Sequence, residues 1–302
     1  MLTGSNSFDG DEVHGRSEQK EKMTPSNSES SFLAERDSPS SHKECLSVCL
    51  ITKNEEQNLK RCLDSLIGLA DEIIVVDSGS TDRTCEIAKD FGAKVFQHPF
   101  DDFTRQKTRS IEKASSSWVM VIDADERVTP ELKAEILQYL SHPETIRSIN
   151  GFYLNRLNFF LGTPIHHSGW SPDWLLRVFR KESGGLDGRA VHESIVVSGQ
   201  TMRLHGLLLH DTHPTIERFV TKNLVYARLW AKERSSTRGP SLTGVLFHPP
   251  AMFLKMYILK MGFLDGFLGF VLAVLYSYHV FIKYLMLYKV NIPLTDRDGV
   301  DS

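Results

Sequence analysis

A regular alternation of short apolar runs and amphipathic stretches begins at residue 45. Four of the runs are rich in β-forming residues and apolar on both faces, as buried strands are, namely residues 45–51, 71–77, 93–97 and 118–122. In the stretches between them, apolar residues recur at helical spacing, as Leu59, Leu63 and Leu66 do. Strands that alternate with helices predict an α/β fold, with a parallel sheet covered by helices on both sides.

Capping residues mark the expected ends of the helices. Asn54 can cap the first helix, and a second helix is expected to start near Asp82 and to end at Gly92. Thr129 followed by Pro130 predicts the N-cap and the first residue of a later helix.

Polar side chains stand where these strands end. Thr52 and Asp77 follow the first two strands, and Asp123 and Asp125 follow the fourth. Ligands of open parallel sheets bind outside the carboxyl ends of the strands, so we expect these residues to share one neighbourhood. The alternative for each Asp is that it caps the next turn.

The pattern changes at both ends of this region. Residues 1–44 hold ten serines and only scattered apolar residues, which predicts a disordered tail. Residues 151–158 and 174–180 are expected strands of a mixed sheet. The predicted division is therefore the tail, an α/β domain at 45–213, and a basic and apolar helical extension at 214–302.

Composition narrows the possible partners. The net charge of -3 and the sequence pI of about 6.5 lack the basic footprint of a nucleic-acid-binding protein, so no nucleic acid is expected. The four cysteines never form C-x-x-C, which argues against a zinc site or a redox dithiol. The first residues show no secretory signal, so we expect a cytoplasmic protein with reduced cysteines.

Several motifs carry a resemblance to a known family. ITKNEE at 51–56, VVDSGSTD at 75–82 and VIDADE at 121–126 follow successive strands. As a set they resemble glycosyltransferase family 2, which has the GT-A fold. Three later motifs are similar to the lipopolysaccharide core glycosyltransferases of the WaaE and LgtF type: WLLRVFRK at 174–181, GRAVHE at 188–193 and GFLDGFLGF at 262–270. The resemblance covers roughly residues 45–290.

The resemblance implies an enzyme that transfers a hexose, with inversion, from a nucleotide sugar to a lipid-linked saccharide such as the lipopolysaccharide core. It suggests UDP-hexose as the donor. A divalent cation, Mg²⁺ or Mn²⁺, would neutralise the charge on the departing diphosphate. Asp125 is the expected metal ligand, and Asp123 beside it would contact the metal or the ribose. His210 is a candidate third ligand, although a lone His is more often structural.

The resemblance also assigns Asp77 to the nucleotide site, with Thr52 and Asn54 in the same pocket. Many family members carry two consecutive acids where this chain has Asp77 and Ser78, so the contact with the base is left open. For Asn54 the alternative is the helix cap.

An inverting transferase needs a general base that takes the proton from the attacking hydroxyl group. Glu193 is the first candidate because it matches the family's acidic position after the acceptor strand, although it can also be a surface carboxylate. Asp173 and Asp187 are the reserves. Arg177 can bind a phosphate or form an ion pair.

Other functions are compatible with parts of the sequence. Within the family, the acceptor can be a polyprenyl phosphate. A non-catalytic module that binds sugar nucleotides is a further alternative. A phosphotransferase of the haloacid dehalogenase type is excluded because its D-x-D motif follows the first strand, with Thr or Val two residues after the second Asp. Here the motif follows the fourth strand, and Arg127 takes that position.

The extension suggests contact with a membrane. Residues 266–282 form a stretch of 17 residues without a formally charged side chain, at the short end for a membrane span. An interfacial helix fits better, with four basic side chains toward anionic headgroups; these are Lys255, Lys260, Lys283 and Lys289. The expected location is peripheral, on the inner face of the cytoplasmic membrane. Packed helices or a dimer interface are the alternatives.

Overall fold

The structure is a computed structural model of the chain, and it describes residues 43–187, 194–213, 215–235, 239 and 241–291. Its strands are β1 (Leu46–Thr52), β2 (Glu72–Asp77), β3 (Lys94–Gln97), β4 (Trp118–Val121), β5 (Glu126–Val128), β6 (Ile149–Phe160), β7 (Thr163–Pro164), β8 (Asp173–Arg180), β9 (Gly184–Leu186), β10 (Ile195–Val197) and β11 (Gln200–His213). The α-helices are α1 (Glu56–Leu66), α2 (Thr84–Asp90), α3 (Phe103–Lys113), α4 (Pro130–Ser141), α5 (Ile216–Arg234), α6 (Leu242–Leu254) and α7 (Gly266–Asn291).

Within the described residues, the main sheet runs in the order β3-β2-β1-β4-β8-β6-β11-β5, with β7 paired to β6. Neighbours among β3, β2, β1 and β4 are parallel. Strand β8 runs antiparallel to β4 and β6, whereas β11 is parallel to β6. The predicted α/β fold, parallel in the first half and mixed in the second, is confirmed.

The core lies on both faces of the sheet. On one face, α1 and α4 bury apolar stripes that include Leu59, Leu63 and Leu132. On the other face, Ile111 of α3 packs against residues of β1, β2 and β4, among them Cys49. Burying a Leu or Ile side chain contributes about 1.5–3 kcal/mol. These layers fix the strand ends relative to one another.

The predicted helix ends are confirmed at two places and shifted at a third. Thr129 caps α4 with its side chain, which accepts a hydrogen bond from the Leu132 backbone N–H, and Pro130 is the first helical residue. Gly92 follows α2 with a φ of 73°. Helix α2 begins at Thr84 rather than near Asp82, because Asp82 Oδ1 accepts from the Thr84 backbone N–H (3.0 Å).

The predicted cap of α1 is wrong. Asn54 lies one residue before the N-cap, Glu55, and has a φ of 54°. Its Oδ1 accepts a hydrogen bond from the Thr81 backbone N–H at 2.8 Å. Asn54 therefore ties the loop after β1 to the loop after β2, and the contact across the sheet outweighs the local capping preference.

Helices α5, α6 and α7 pack on one another and on the end of the sheet. Phe160 of β6 is buried with Phe219 of α5 and Leu272 of α7. Residues 41–302 fall in one compact unit. The boundary between 213 and 214 stays a prediction, and most of the tail at 1–44 lies outside the described residues.

The helical region also exposes large apolar side chains. Phe247 is 68% exposed, Leu259 76% and Phe267 77%. Two segments, Leu242–Leu259 and Gly262–Leu287, are long and apolar enough to cross a membrane by length and composition, a test that core helices also pass. Membrane contact therefore stays a prediction.

Candidate functional site

A cavity of about 1000 Å³ opens at the carboxyl ends of β1 and β4. The loops after these strands form one wall, β6, β8 and β11 contribute to a second, and α5 lines a third. Its lining includes Thr52, Ser78, Lys107, Asp123, Asp125, Arg156, Asn158, Trp170, Asp173, His210, Arg218, Lys222, Tyr226 and Leu229. The expected neighbourhood of strand-end residues therefore exists.

Asp123 is held by two cations. Its Oδ1 lies 3.0 Å from Lys107 Nζ, and its Oδ2 accepts a hydrogen bond from Arg177 Nη2, also at 3.0 Å. Burial alone would raise the pKa of Asp123, but Lys107 and Arg177 outweigh it and hold the pKa well below its usual range. Asp123 is thus a carboxylate at neutral pH, with an ion-pair partner on each oxygen.

Glu126 is a buried member of this cluster whose role was not predicted from the sequence. Its side chain is fully buried, and Oε1 accepts from Arg177 Nη2 at 2.8 Å and from Arg156 Nη1 at 3.1 Å. Its Oε2 accepts from the backbone N–H of Asp123 at 3.0 Å. Arg177 therefore forms ion pairs. The feature of the sequence that could have indicated a role for Glu126 is its position three residues after Asp123.

Asp125 faces His210. Asp125 Oδ2 lies 3.5 Å from His210 Nε2 across the cavity wall. Burial raises the pKa of Asp125, but the interaction with His210 outweighs it, and the net pKa lies below the ordinary value. The Asp211 backbone N–H also donates to the Asp125 carbonyl at 3.0 Å, which fixes the turn that carries Asp125 to β11.

The orientation of His210 follows from Asn158. The amide nitrogen of Asn158 donates to Asp173 Oδ2 at 3.2 Å and to the Trp170 carbonyl at 3.4 Å. Its amide oxygen therefore faces His210 Nδ1 at 2.7 Å and also accepts a hydrogen bond from the Thr212 hydroxyl at 3.1 Å. In the tautomer with the proton on Nδ1, the ring donates to Asn158 and the Nε2 lone pair is open to a metal ion; in the other tautomer, Nε2–H points toward Asp125.

The structure brings two of the three predicted metal ligands, Asp125 and His210, side by side. Within the described residues, no group of three or more His, Cys, Asp or Glu side chains is arranged to hold a metal ion. Asp123 is turned to its two cations instead. The assignment of a metal to this position stays a prediction.

Of the three acids considered as general base, the structure places Asp173 in the cavity. Its Oδ2 accepts from Arg156 Nε at 2.9 Å, and Oδ1 has no hydrogen-bond partner among the described residues. Asp187 follows β9, and its Oδ1 accepts from the Ser194 backbone N–H at 3.3 Å in the β9–β10 hairpin. Glu193 lies outside the described residues, so the choice among the three stays a prediction.

Asp77 shapes the turn after β2. It is fully buried and accepts hydrogen bonds from Thr52 Oγ1 (2.9 Å) and from the backbone N–H groups of Gly79 (3.0 Å) and Ser80 (2.9 Å). Burial raises the pKa of Asp77, yet the hydrogen bond from the Ser80 hydroxyl, together with those from the Ser80 backbone and Thr52, outweighs it and lowers the pKa overall. Thr52 and Ser78 line the cavity, and a contact between Asp77 and a nucleotide base stays a prediction.

The GFLDGFLGF motif anchors the loop that leads to Asp173. Asp265 is buried, and its Oδ1 accepts from the backbone N–H groups of His166 (3.0 Å) and His167 (3.1 Å). Its Oδ2 accepts from Ser168 Oγ at 2.9 Å. Residues that line the cavity follow directly after Ser168. Asp265 therefore links the helical region to a loop of the site.

Known proteins resemble the chain over most of its length. The family model described as Glycosyl transferase family 2 matches residues 47–197. The lipopolysaccharide core biosynthesis glycosyltransferase LpsC of Rhizobium meliloti is 29% identical over 270 residues, 85% of this chain and 96% of LpsC. An uncharacterized glycosyltransferase of Rickettsia typhi is 28% identical over 258 residues, 82% of this chain and 88% of that protein.

Among solved structures, the chain is similar to the mannosyltransferase PcManGT from Pyrobaculum calidifontis in complex with GDP-Man and Mn²⁺. The TM-score is 0.45 and the identity 14%, with 82% of this chain and 87% of that chain covered. The expected resemblance to glycosyltransferase family 2, with its GT-A fold, is confirmed by the family match together with the sheet topology.

Proposed function

The chain belongs to glycosyltransferase family 2, and we propose that it transfers a hexose, with inversion, from a UDP-sugar to a lipid-linked saccharide of the lipopolysaccharide core type. The observation that carries the proposal is the pairing of Asp125 with His210 on the wall of a large cavity at the carboxyl ends of β1 and β4. The resemblance supplies the choice of UDP-hexose, and the name of the LpsC relative supports the acceptor.

The residues at this position fit a divalent cation, Mg²⁺ or Mn²⁺. Asp125 offers a carboxylate and His210 the Nε2 lone pair, a mixed oxygen and nitrogen pair that suits Mn²⁺ and leaves positions for phosphate oxygens and water. With a metal on Nε2, His210 Nδ1 would donate to Asn158 Oδ1, 2.7 Å away, which is the kind of outer contact that orients a metal-binding His. When bound, the cation supplies positive charge that neutralises the departing diphosphate.

The chain's own side chains perform the remaining tasks. Lys107 and Arg177 hold Asp123 against the ribose, which keeps the turn before Asp125 in place. Asp173 Oδ1 takes the proton of the acceptor hydroxyl as its oxygen attacks the anomeric carbon and the bond to the diphosphate breaks. Arg156, which donates to Asp173 Oδ2, orients the carboxylate.

The proposed location is the inner face of the cytoplasmic membrane. A lipid-linked acceptor presents its saccharide at a membrane surface, and the exposed apolar side chains of α6 and α7 fit that environment. We place the chain there as a peripheral protein.

A panel of nucleotide sugars tests the proposal. Release of the nucleotide diphosphate is measured with extracted core lipopolysaccharide, with polyprenyl phosphate and without acceptor, each in Mg²⁺, Mn²⁺ or EDTA. We expect release that needs UDP-hexose, lipopolysaccharide and a divalent cation. Equal release with polyprenyl phosphate would move the acceptor to that class. Tight donor binding without any turnover would indicate a binding module instead.

A further inference from the structure

Helix α5 presents a stripe of four side chains to the cavity, which we name the α5 stripe: Arg218, Lys222, Tyr226 and Leu229. At 3.6 residues per turn these positions fall within an arc of about 80° on the helix. All four are solvent-exposed in the structure. Other positions of α5, such as Phe219 and Ala227, are buried against the core.

The two cations of the stripe differ from Lys107 and Arg156, two cavity cations that form salt bridges. Lys107 is paired with Asp123, and Arg156 with Asp173. In the part of the chain that the structure describes, Arg218 and Lys222 form no salt bridge. Two positive side chains one turn apart, both open to a cavity and neither in a salt bridge within the described residues, form a binding surface for an anion.

The α5 stripe and Asp125 line the same cavity, and Glu55 lies within electrostatic reach of Arg218 and Asp125. Burial raises the pKa of Glu55, Asp125 raises it further, and Arg218 lowers it. Both charges therefore act on one carboxyl group, and Glu55 itself lines the cavity. An anion held by Arg218 would sit beside the place where the sugar is transferred.

We infer that Arg218 and Lys222 bind an anionic group, a phosphate or a carboxylate, on the acceptor saccharide. Tyr226 and Leu229 continue the stripe and offer an aromatic and an apolar surface to the sugar rings next to that group. The donor is assigned to the strand ends, where ligands of parallel sheets bind, and α5 follows the sheet in the chain. This inference rests on the proposed function, because it names the acceptor chemistry of the same cavity.

A binding experiment tests the anion site without any turnover. Inorganic phosphate is titrated into the full chain by calorimetry, with and without saturating UDP and Mg²⁺. In the double variant Arg218→Gln and Lys222→Gln we expect phosphate affinity to fall roughly ten- to a hundredfold. The matched control is Arg228→Gln, an exposed arginine of α5 outside the cavity lining, which should bind as the wild type does.

Three results would overturn the inference. They are no phosphate binding by the wild type, equal binding by the double variant, and displacement of phosphate by UDP, which would assign the cations to the donor. Phosphate binding that needs both cations and persists beside UDP supports the site even if no transfer to lipopolysaccharide is found. In that case the proposed lipopolysaccharide acceptor would be wrong, and the inferred anion site would still be supported.

A kinetic arm identifies the anion. Acceptor KM is measured with extracted core lipopolysaccharide and with the same material after dephosphorylation. If the group is a phosphate, dephosphorylation raises the wild-type KM and leaves the double variant unaffected. If it is a sugar carboxylate, the double variant has the higher KM with both materials. A double variant with wild-type KM for both acceptors contradicts the inference.

Discussion

Two walls of the cavity are built on different principles. The strand-end wall rests on a network of paired charges, in which the carboxylates of Asp123 and Glu126 form salt bridges with Lys107, Arg156 and Arg177. The α5 wall carries exposed cations, Arg218 and Lys222, that form no salt bridge within the described residues. Paired and buried charges hold their geometry before any ligand arrives, whereas exposed cations are available to one. We therefore propose that the paired charges hold the groups that carry out the transfer and that α5 selects the acceptor.

Replacing the general base should cause the largest loss of turnover. If Asp173 accepts the proton, Asp173→Asn should lower turnover roughly a hundred- to ten-thousandfold and leave the donor affinity unchanged. Turnover is measured with saturating donor, and donor affinity by calorimetry. Glu193→Gln and Asp187→Asn are assayed alongside as matched variants. A loss of that size in either of them, with Asp173→Asn active, would transfer the role.

The second prediction concerns the rigidity of the strand-end wall. Glu126→Gln leaves Arg156 and Arg177 without the buried charge between them, and we expect a loss of about 3 kcal/mol in the free energy of unfolding. Urea denaturation measures it as a lower midpoint with an unchanged slope. Glu112→Gln, at an exposed position of α3, is the control and should change the midpoint little. Equal stability of the two variants would show that the cluster adds no stability.

The third prediction tests the membrane proposal for the helical region. Lysines near an anionic surface add about 1 kcal/mol each, so changing Lys255, Lys260, Lys283 and Lys289 together to Gln should release the chain from anionic vesicles. Vesicle sedimentation at low and high salt measures the binding. Resistance of the wild type to high salt and alkaline extraction would indicate a true span, and no binding at low salt would favour a purely structural role.

Lys283 sharpens that prediction. Its Nζ lies 4.4 Å from the centre of the Trp230 ring, and burial, aided by Arg234, lowers its pKa. Part of its charge is therefore engaged within the protein. We expect Lys283→Gln alone to weaken vesicle binding less than Lys255→Gln alone, and the reverse order would place Lys283 at the membrane surface.

The smallest expected effect belongs to the tail. Deletion of residues 1–42 should change neither the melting temperature nor turnover with a soluble acceptor, because a serine-rich segment has little apolar surface to bury. The deletion stops before Glu44, whose carboxylate accepts from Arg180 Nη1 at 3.1 Å. A fall of several degrees in the melting temperature would show that the tail packs.

The sequence predicted the strand-end wall better than the α5 wall for a physical reason. Buried parallel strands and the Thr129 cap leave local patterns, and the ends of parallel strands must meet, so Thr52 and Asp125 could be placed together. The partners of Asp123 could not be foreseen, because Lys107 lies on a helix and Arg177 on an antiparallel strand that joins the sheet through long-range pairing.

The α5 wall shows the limit of periodicity more clearly. Helical spacing groups Arg218 with Lys222, but it does not say whether that face turns to solvent, to a membrane or to a cavity. Taken together, the basic residues after 213 therefore indicated contact with a membrane. The structure separates them, because Arg218 and Lys222 line the cavity, whereas most of the exposed large apolar side chains of the helical region lie on or between α6 and α7.

The metal site at Asp125 is tested most directly by comparing the metal dependence of Asp125→Asn with that of Asp64→Asn. Asp64 is an exposed acid of α1 and serves as the control. Transfer is measured over a Mn²⁺ titration, and Mn²⁺ binding by electron paramagnetic resonance in the presence of UDP. We expect Asp125→Asn to keep the wild-type melting temperature, to lose Mn²⁺ binding and to lose transfer by at least about a hundredfold, while Asp64→Asn behaves as the wild type. Near-normal turnover of Asp125→Asn at saturating Mg²⁺ or Mn²⁺ would contradict this expectation.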